Sequence, residues 1–151
     1  MNHSKNYSRL LAMFVLHLIA MYVLMYAMVN IFANAIPNHN QFYMAALMAS
    51  PMLILELWLM GSMYPKKKLN FVIAGIAVVL IATSFLFIRH QTAIGDEQFL
   101  KSMIPHHAGA ILMCEQAQLE DPQINELCVN ILKGQQGEID WMKAKLDSIG
   151  S

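Results

Sequence analysis

The chain has 151 residues, of which 57% are hydrophobic and 13% are charged, and its formal net charge is zero. This composition is typical of a membrane protein. Apart from one short run of lysines there is no basic patch, so we do not expect nucleic acid as a partner.

Three apolar runs, at about residues 10–33, 42–64 and 71–88, are long enough to cross a bilayer, which requires about 20 apolar residues. The first run lacks the small-residue cleavage pattern of a signal peptide after a short apolar core, so we interpret it as a retained helix. Residues 1–90 are therefore predicted to form a membrane domain with the lipid bilayer as its surroundings.

The lysines and arginines predict the orientation of this domain, because cytoplasmic loops of membrane proteins are enriched in them. Lys5 and Arg9 precede the first run, and the run Lys66 to Lys68 lies between the second and the third. The connection at residues 34–41 has no lysine or arginine. We therefore expect a bacterial inner-membrane protein with a cytoplasmic N-terminus, and with residues 91–151 in the periplasm or outside the cell.

Methionines are concentrated in the first two apolar runs, which contain nine of the thirteen, whereas the third run has none. In an antiparallel pair of helices that turns at Ile36-Pro37, the methionines of the two helices become level with each other, and His17 becomes level with Glu56. Two interpretations stay open. The thioethers form a row of soft ligands for Cu(I), or they fill gaps between helices. Likewise, His17 and Glu56 either hydrogen-bond each other and so tie the two helices together, or they take part in the movement of a proton or a cation. The residues concerned are Met13, His17, Met21, Met25, Met28, Met44, Met48, Met52, Glu56 and Met60.

The pattern becomes amphipathic in the last third of the chain. A helix is predicted from Asp96, as N-cap, to Leu119, with a kink or a restart at Pro105. A second helix is predicted from its N-cap Asp121 to about Leu146. The predicted fold class is therefore all-α, with three transmembrane helices followed by an antiparallel helical hairpin outside the cytoplasm.

One face of the first of these helices carries several metal-binding side chains. At 100° per residue, Met103, His107 and Cys114 lie within about 40° of one another, and His106 and Met113 form a neighbouring stripe. These donors are soft or borderline, with almost no carboxylate among them. They favour Cu(I) or Ag(I), with Zn(II) as the second choice.

The second helix adds Cys128, opposite Cys114, and Met142. Three states of the two cysteines stay open: metal-bound thiolates, buried thiols, or a disulfide, which an oxidising compartment permits. A disulfide requires the two helices to be unusually close, because packed helix axes are about 8–10 Å apart.

Both helices together carry a recognisable motif. The stretch DEQFLKSMIPHHAGAILMCEQA, followed by ILKGQQGEIDWMKAKL, contains Met-x-x-His-His, a downstream methionine and Glu-Ile-x-x-Met. Over about residues 92–147 it resembles the domain of unknown function 305 family. The resemblance implies a ferritin-like helical bundle and, as in some members, copper binding outside the cytoplasm. It implies metal-ligand roles for Met103, His106, His107, Met113 and Met142.

One hairpin buries little apolar surface, so we expect it to dimerise into a four-helix bundle or to pack on the membrane helices. Di-iron chemistry is not implied, because the Glu-x-x-His motifs that such sites need are absent from the sequence.

The sequence therefore predicts a binding protein rather than an enzyme, because it has no nucleophile–base constellation, phosphate loop or HExxH motif. The expected function is capture of Cu(I) or Ag(I) for copper tolerance or delivery. The alternative is a structural module in which the hairpin dimerises and the methionines only pack. A transporter along the membrane methionines is less favoured, because three helices in one copy make a poor pore.

Overall fold

The computed structural model of the chain describes the backbone of residues 3–150 and the side chains of residues 5–150. Over these residues the protein is all-α, as predicted, with five α-helices and no strand. The helices are α1 (His3–Leu24), α2 (His39–Leu59), α3 (Lys67–His90), α4 (Asp96–Gln116) and α5 (Pro122–Ile149). Single 3₁₀ turns occupy Met25–Met28, Phe32–Asn34 and Gly61–Met63.

Three helical segments are long and apolar enough to cross a membrane: Lys5–Met28, His39–Leu59 and Lys67–His90. This confirms the three candidate spans, with shifted bounds. The second span ends at Leu59 rather than at residue 64, because a 3₁₀ turn that begins with glycine follows it. The third begins at Lys67 rather than at residue 71, because α3 itself begins at Lys67, before the apolar run.

The chain divides into two compact units. The membrane unit contains the chain up to Met25 and Asn40–Thr92. The C-terminal unit contains Tyr26–His39 and the chain from Ala93 onward. The connection between α1 and α2 is therefore part of the same unit as α4 and α5.

Within the membrane unit, Leu10, Leu53, Tyr64 and Ala77 form a buried cluster that brings α1, α2 and α3 together. The buried face of α2 consists mostly of small residues, which allow helices to approach closely in a bilayer. These are Ala45, Ala46, Ala49 and Ser50.

The membrane methionines lie on other faces. Met13 and Met44 are each 37% exposed, Met60 is 41% exposed and Met48 is 49% exposed. The small residues of α2 occupy the interior, which leaves these four thioether side chains at the periphery, whereas Met21, Met25 and Met52 are partly buried. Among the described residues, the structure therefore places none of these four methionines in a buried row.

A hydrogen-bonded group joins the three helices at the end of the membrane unit that contains the lysines. The Asn6 amide donates to the Met63 carbonyl at 2.9 Å, and the Asn70 amide donates to the Tyr64 carbonyl at 2.7 Å. The Tyr64 hydroxyl donates to Glu56 at 3.1 Å, which gives this carboxylate a partner other than the expected His17. Burial, and then this hydrogen bond, raises the pKa of the Tyr64 phenol, so the phenol stays protonated as a donor.

The core of the C-terminal unit lies between α4 and α5. Its buried members come from both helices, and Val29 and Ile36 of the 26–39 segment pack against them. A Cβ on Gly109 would lie 3.6 Å from the Met28 carbonyl oxygen, so this glycine lets the segment approach α4 closely. The buried residues are Leu100, Ile104, Ala108, Ile111, Ile139 and Met142.

Two details of α4 differ from the prediction. The helix runs through Pro105 without a restart, and Pro105 is buried within it. The N-cap is Gly95 rather than Asp96, so Asp96 and Glu97 lie in the first turn, where the helix dipole favours negative charge. A hydrogen bond from Lys101 lowers the pKa of the Glu97 carboxyl group.

Cys114 and Cys128 form a disulfide that joins α4 to α5, with their Cα atoms 5.3 Å apart. The helices can converge here because only the short segment 117–121 separates them. This finding corrects the expected accessory role of both cysteines as metal ligands, because a metal-binding cysteine must be a thiolate.

The N-cap of α5 is confirmed, and it carries a prediction about local stability. The Asp121 carboxylate accepts hydrogen bonds from the backbone N–H of Gln123 at 2.8 Å and of Ile124 at 3.1 Å. We expect Asp121→Ala to destabilise the start of α5 by about 1 kcal/mol, because these donors lose their acceptor. Asp121→Asn should leave stability nearly unchanged, since asparagine caps equally well. Hydrogen exchange of the first turn of α5 measures both, and equal exchange in the two variants would contradict the assignment.

Candidate metal site

The His107 side chain lies at the centre of the candidate site, facing α5 and buried to all but 9% of its surface. Its Nδ1 is 2.9 Å from the carbonyl oxygen of Met103, one turn earlier on α4. Its Nε2 is 2.7 Å from a carboxylate oxygen of Glu138 on α5. The imidazole is therefore held from both sides.

These two contacts restrict the protons on the ring. A backbone carbonyl only accepts, so Nδ1 carries a hydrogen and donates it to Met103. Nε2 then faces the Glu138 side chain as its hydrogen-bond partner. A hydrogen bond from Nδ1 to a backbone carbonyl is the arrangement that orients a metal-binding histidine, because it leaves Nε2 as the ligand atom. Glu138 is 62% exposed and can move to release Nε2.

His106 and Met103 lie within one turn of His107 on α4. The His106 side chain is exposed, and the centres of the two imidazole rings are 6.2 Å apart. Met103 is partly buried against the core of the C-terminal unit. Two imidazoles and a thioether are thus presented by a single turn of helix.

The other two predicted methionine ligands have different surroundings. Met142 of α5 is buried, with 5% of its surface exposed, in the same core against which Met103 packs. Met113 is 54% exposed. It lies about 10.5 Å beyond His106 along α4, a rise of two helical turns. The structure therefore groups Met103 and Met142 and separates Met113 from His106.

The structure also limits the class of site that the described residues can form. Among them, no three side chains of histidine, cysteine, aspartate or glutamate are grouped so that they could hold a metal ion. A structural zinc site uses four such ligands. Thioether sulfur, which Met103 carries, is a donor that suits Cu(I) or Ag(I) better than zinc.

Sequence reasoning missed one partner at this site. The predicted register, with Cys128 opposite Cys114, also puts Gln135 opposite His107, because each lies seven residues from its cysteine, whereas the structure places Glu138 there. Glu138 belongs to the Glu-Ile-x-x-Met element, so the motif contained the signal. The side-chain oxygen of Gln135 is buried and lacks a hydrogen-bond donor among the described residues, so α5 also carries a buried acceptor without a partner.

Comparisons with known proteins agree with the motif. Residues 88–146 match the DUF305 family, described as a domain of unknown function. The uncharacterized protein L153 of Acanthamoeba polyphaga mimivirus is 34% identical over 148 residues, which covers 94% of this chain and 93% of that protein. No solved structure matches the chain. Because this relative is viral, it lends no support to the expected bacterial location. The chain therefore belongs to the same family as protein L153 and carries a DUF305 domain at residues 88–146.

Proposed function

We propose that the protein is a membrane-anchored binding protein for Cu(I) or Ag(I), and that it serves copper tolerance or delivery. The receptor is the α4–α5 hairpin. The observation that supports this most is the fixed orientation of His107, whose Nδ1 is 2.9 Å from the Met103 carbonyl. This contact directs Nε2 toward α5 as a potential ligand atom.

The proposed ligands are His107, Met103 and Met142, with His106 as the exposed imidazole that first captures the ion. Thioethers and imidazole prefer Cu(I) to hard cations. Binding at Nε2 displaces the proton shared with Glu138, so metal uptake releases protons. Met113 is not in this set; it is available to a second ion or to the hairpin of another copy.

We place the receptor outside the cytoplasm. The lysines and arginines near the membrane lie mostly at the N-terminus and between α2 and α3, which favours a cytoplasmic position for that side. The α1–α2 connection belongs to the same unit as α4 and α5, as expected if both lie on the opposite side. The disulfide also fits an oxidising compartment. Two hairpins packed together would give the ferritin-like four-helix bundle.

Titration of the purified protein with Cu(I) under anaerobic conditions, with X-ray absorption at the copper edge, tests the proposal. Cu(I) would be supplied with a chelating competitor and without thiol reductant, so that the disulfide stays intact. We expect stoichiometric binding with both sulfur and nitrogen around copper. Absence of tight binding would refute the proposal.

Met103→Leu separates a metal ligand from a packing residue. Leucine has a similar volume, so the substitution should cost less than about 1.5 kcal/mol of stability. It removes one sulfur ligand, so we expect Cu(I) affinity to fall at least tenfold. Met63→Leu is a matched control, because Met63 packs in the core of the membrane unit. An equal affinity for Cu(I) in wild type and Met103→Leu would remove Met103 from the site.

A structural module remains the second candidate, because the α4–α5 pair exposes large apolar side chains. Phe99 is 50% exposed, Leu127 is 56% exposed and Trp141 is 63% exposed. Such side chains on one unit are typical of an interaction surface. The mass of the protein in detergent, measured by light scattering with and without Cu(I), distinguishes the two. A dimer that forms without metal and binds none would favour the module.

A further inference from the structure

The membrane unit contains an apolar groove that none of its own side chains fills. The groove has a volume of 290 Å³ and lies between α1 and α3, with α2 behind it. It is lined by Leu10, Leu11, Phe14, Leu53, Ile73 and Ile76. All of these side chains are hydrocarbon, so the groove suits an apolar occupant.

The groove runs lengthwise along α3. Its lining on α3 extends from Leu69 to Leu80, a rise of about 16 Å along the helix. This segment belongs to a helix that is apolar enough to cross a membrane. In a bilayer, lipid acyl chains would therefore surround the groove. A linear chain that enters at one end of the groove can follow α3 for several turns.

Basic residues are adjacent in sequence to residues that line one end of the groove. Tyr7 lines the groove there, and its hydroxyl accepts a hydrogen bond from the backbone N–H of Lys66 at 3.1 Å. In the sequence, Lys68 directly precedes Leu69 and Arg9 directly precedes Leu10. We call Lys5, Arg9, Lys66, Lys67 and Lys68 the basic mouth.

The basic mouth has little acidic charge to balance it. Glu56 is the one acidic residue before Asp96, and its carboxylate accepts the hydrogen bond of Tyr64. Five cations beside one engaged carboxylate attract an anion, and basic residues near the cytoplasmic face bind anionic headgroups. The basic residues and the apolar groove together favour a ligand that is anionic at one end and apolar along its length.

We propose that this is a binding site for an anionic phospholipid, with one acyl chain in the groove and the phosphate headgroup at the basic mouth. The site is separate from the metal receptor and does not depend on the proposed function. It would anchor the membrane unit to the leaflet rich in anionic lipid.

The full-length protein, exchanged into micelles that contain equal amounts of phosphatidylglycerol and phosphatidylcholine, tests the proposal by native mass spectrometry. We expect one retained phosphatidylglycerol per copy, preferred at least fivefold over phosphatidylcholine. Ile76→Trp fills the groove and should abolish retention. Val78→Trp is its matched control, because Val78 is on α3 with a similar exposure, 56% against 53%, but does not line the groove.

The charge of the basic mouth is tested separately. Replacing Lys66, Lys67 and Lys68 by glutamine should remove the preference for phosphatidylglycerol while some phosphatidylcholine is still retained. The same replacement at Lys101, Lys133 and Lys143 of the C-terminal unit should change nothing. Helical circular dichroism and monodisperse elution show that each variant is folded.

Three results would overturn the proposal. The first is equal retention of both lipids by the wild type. The second is loss of the retained lipid on adding millimolar inorganic phosphate, which would mean a phosphate site without a bound chain. The third is a dimer that Ile76→Trp dissociates, which would mean that a second copy covers the groove.

Discussion

Replacing both histidines of α4, by His106→Ala with His107→Ala, should lower the affinity for Cu(I) at least tenfold. In the proposed site, His107 would supply the ligand atom whose orientation the Met103 carbonyl fixes, and His106 would supply the exposed imidazole on the same turn. Loss of an imidazole from a site with few ligands removes both a bond and the orientation of the others. Competition with a chelator of known Cu(I) affinity measures the change.

His90→Ala is the control for this prediction, because His90 is an exposed histidine at the end of α3, in the other unit. Its loss should leave affinity unchanged. The single variants divide the effect: His107→Ala should cause most of it, because His107 is the buried and oriented member of the pair. An unaltered affinity in the double variant would contradict the proposed site.

Removing the disulfide, by Cys114→Ala with Cys128→Ala, should lower the free energy of unfolding of the C-terminal unit by about 3 kcal/mol. The two cysteines are 14 residues apart in sequence, and cross-linking a chain segment of this length restricts the unfolded state by about that amount. The core that remains between α4 and α5 is small, so the loss is large in proportion. Hydrogen exchange of the buried amides of Ile111 and Ile139 should accelerate by about a hundredfold.

The same variant separates the disulfide from the metal site. Because the joined sulfurs are not proposed as ligands, Cu(I) affinity of the folded double variant should stay within about threefold of wild type. Reduction of the wild type with a dithiol should reproduce the faster exchange, and the double variant should not respond to it. Unchanged exchange after reduction would show that the disulfide does not hold the helices together.

Patterns local in sequence were sufficient for most of the fold. The three spans follow from continuous apolar runs, because a bilayer demands a fixed length of apolar helix. The start of α5 at Asp121-Pro122 follows from cap chemistry confined to a few residues. The ends of the helices were predicted less accurately. The first residue of α4 and the end of α2 differ from prediction, because the last turns depend on backbone geometry that side-chain patterns do not specify.

The side-chain contacts between helices could not be predicted from such local patterns. The row of membrane methionines depends on the rotation of α2, which turns Ala45 and Ala49 to the interior and leaves Met44 and Met48 exposed. Small residues allow close backbone approach in lipid, and this outweighs the pattern of larger side chains. The expected contact between Glu56 and His17 depended on the same rotation. Tyr64, which follows the end of α2, is the partner instead.

The sequence by itself determined the all-α class, the three candidate membrane spans, the family motif and the residues that carry soft metal-binding atoms. Each of these features depends only on composition or on the spacing of residues that are near in sequence. Only the tertiary structure decided that Cys114 bonds to Cys128, that Glu138 meets His107 and that Met142 is buried in the core between α4 and α5. These facts depend on how far two helices are rotated and shifted against each other. A shift of α5 by a few residues would bring a different side chain opposite His107. Side-chain packing across the whole core sets that shift.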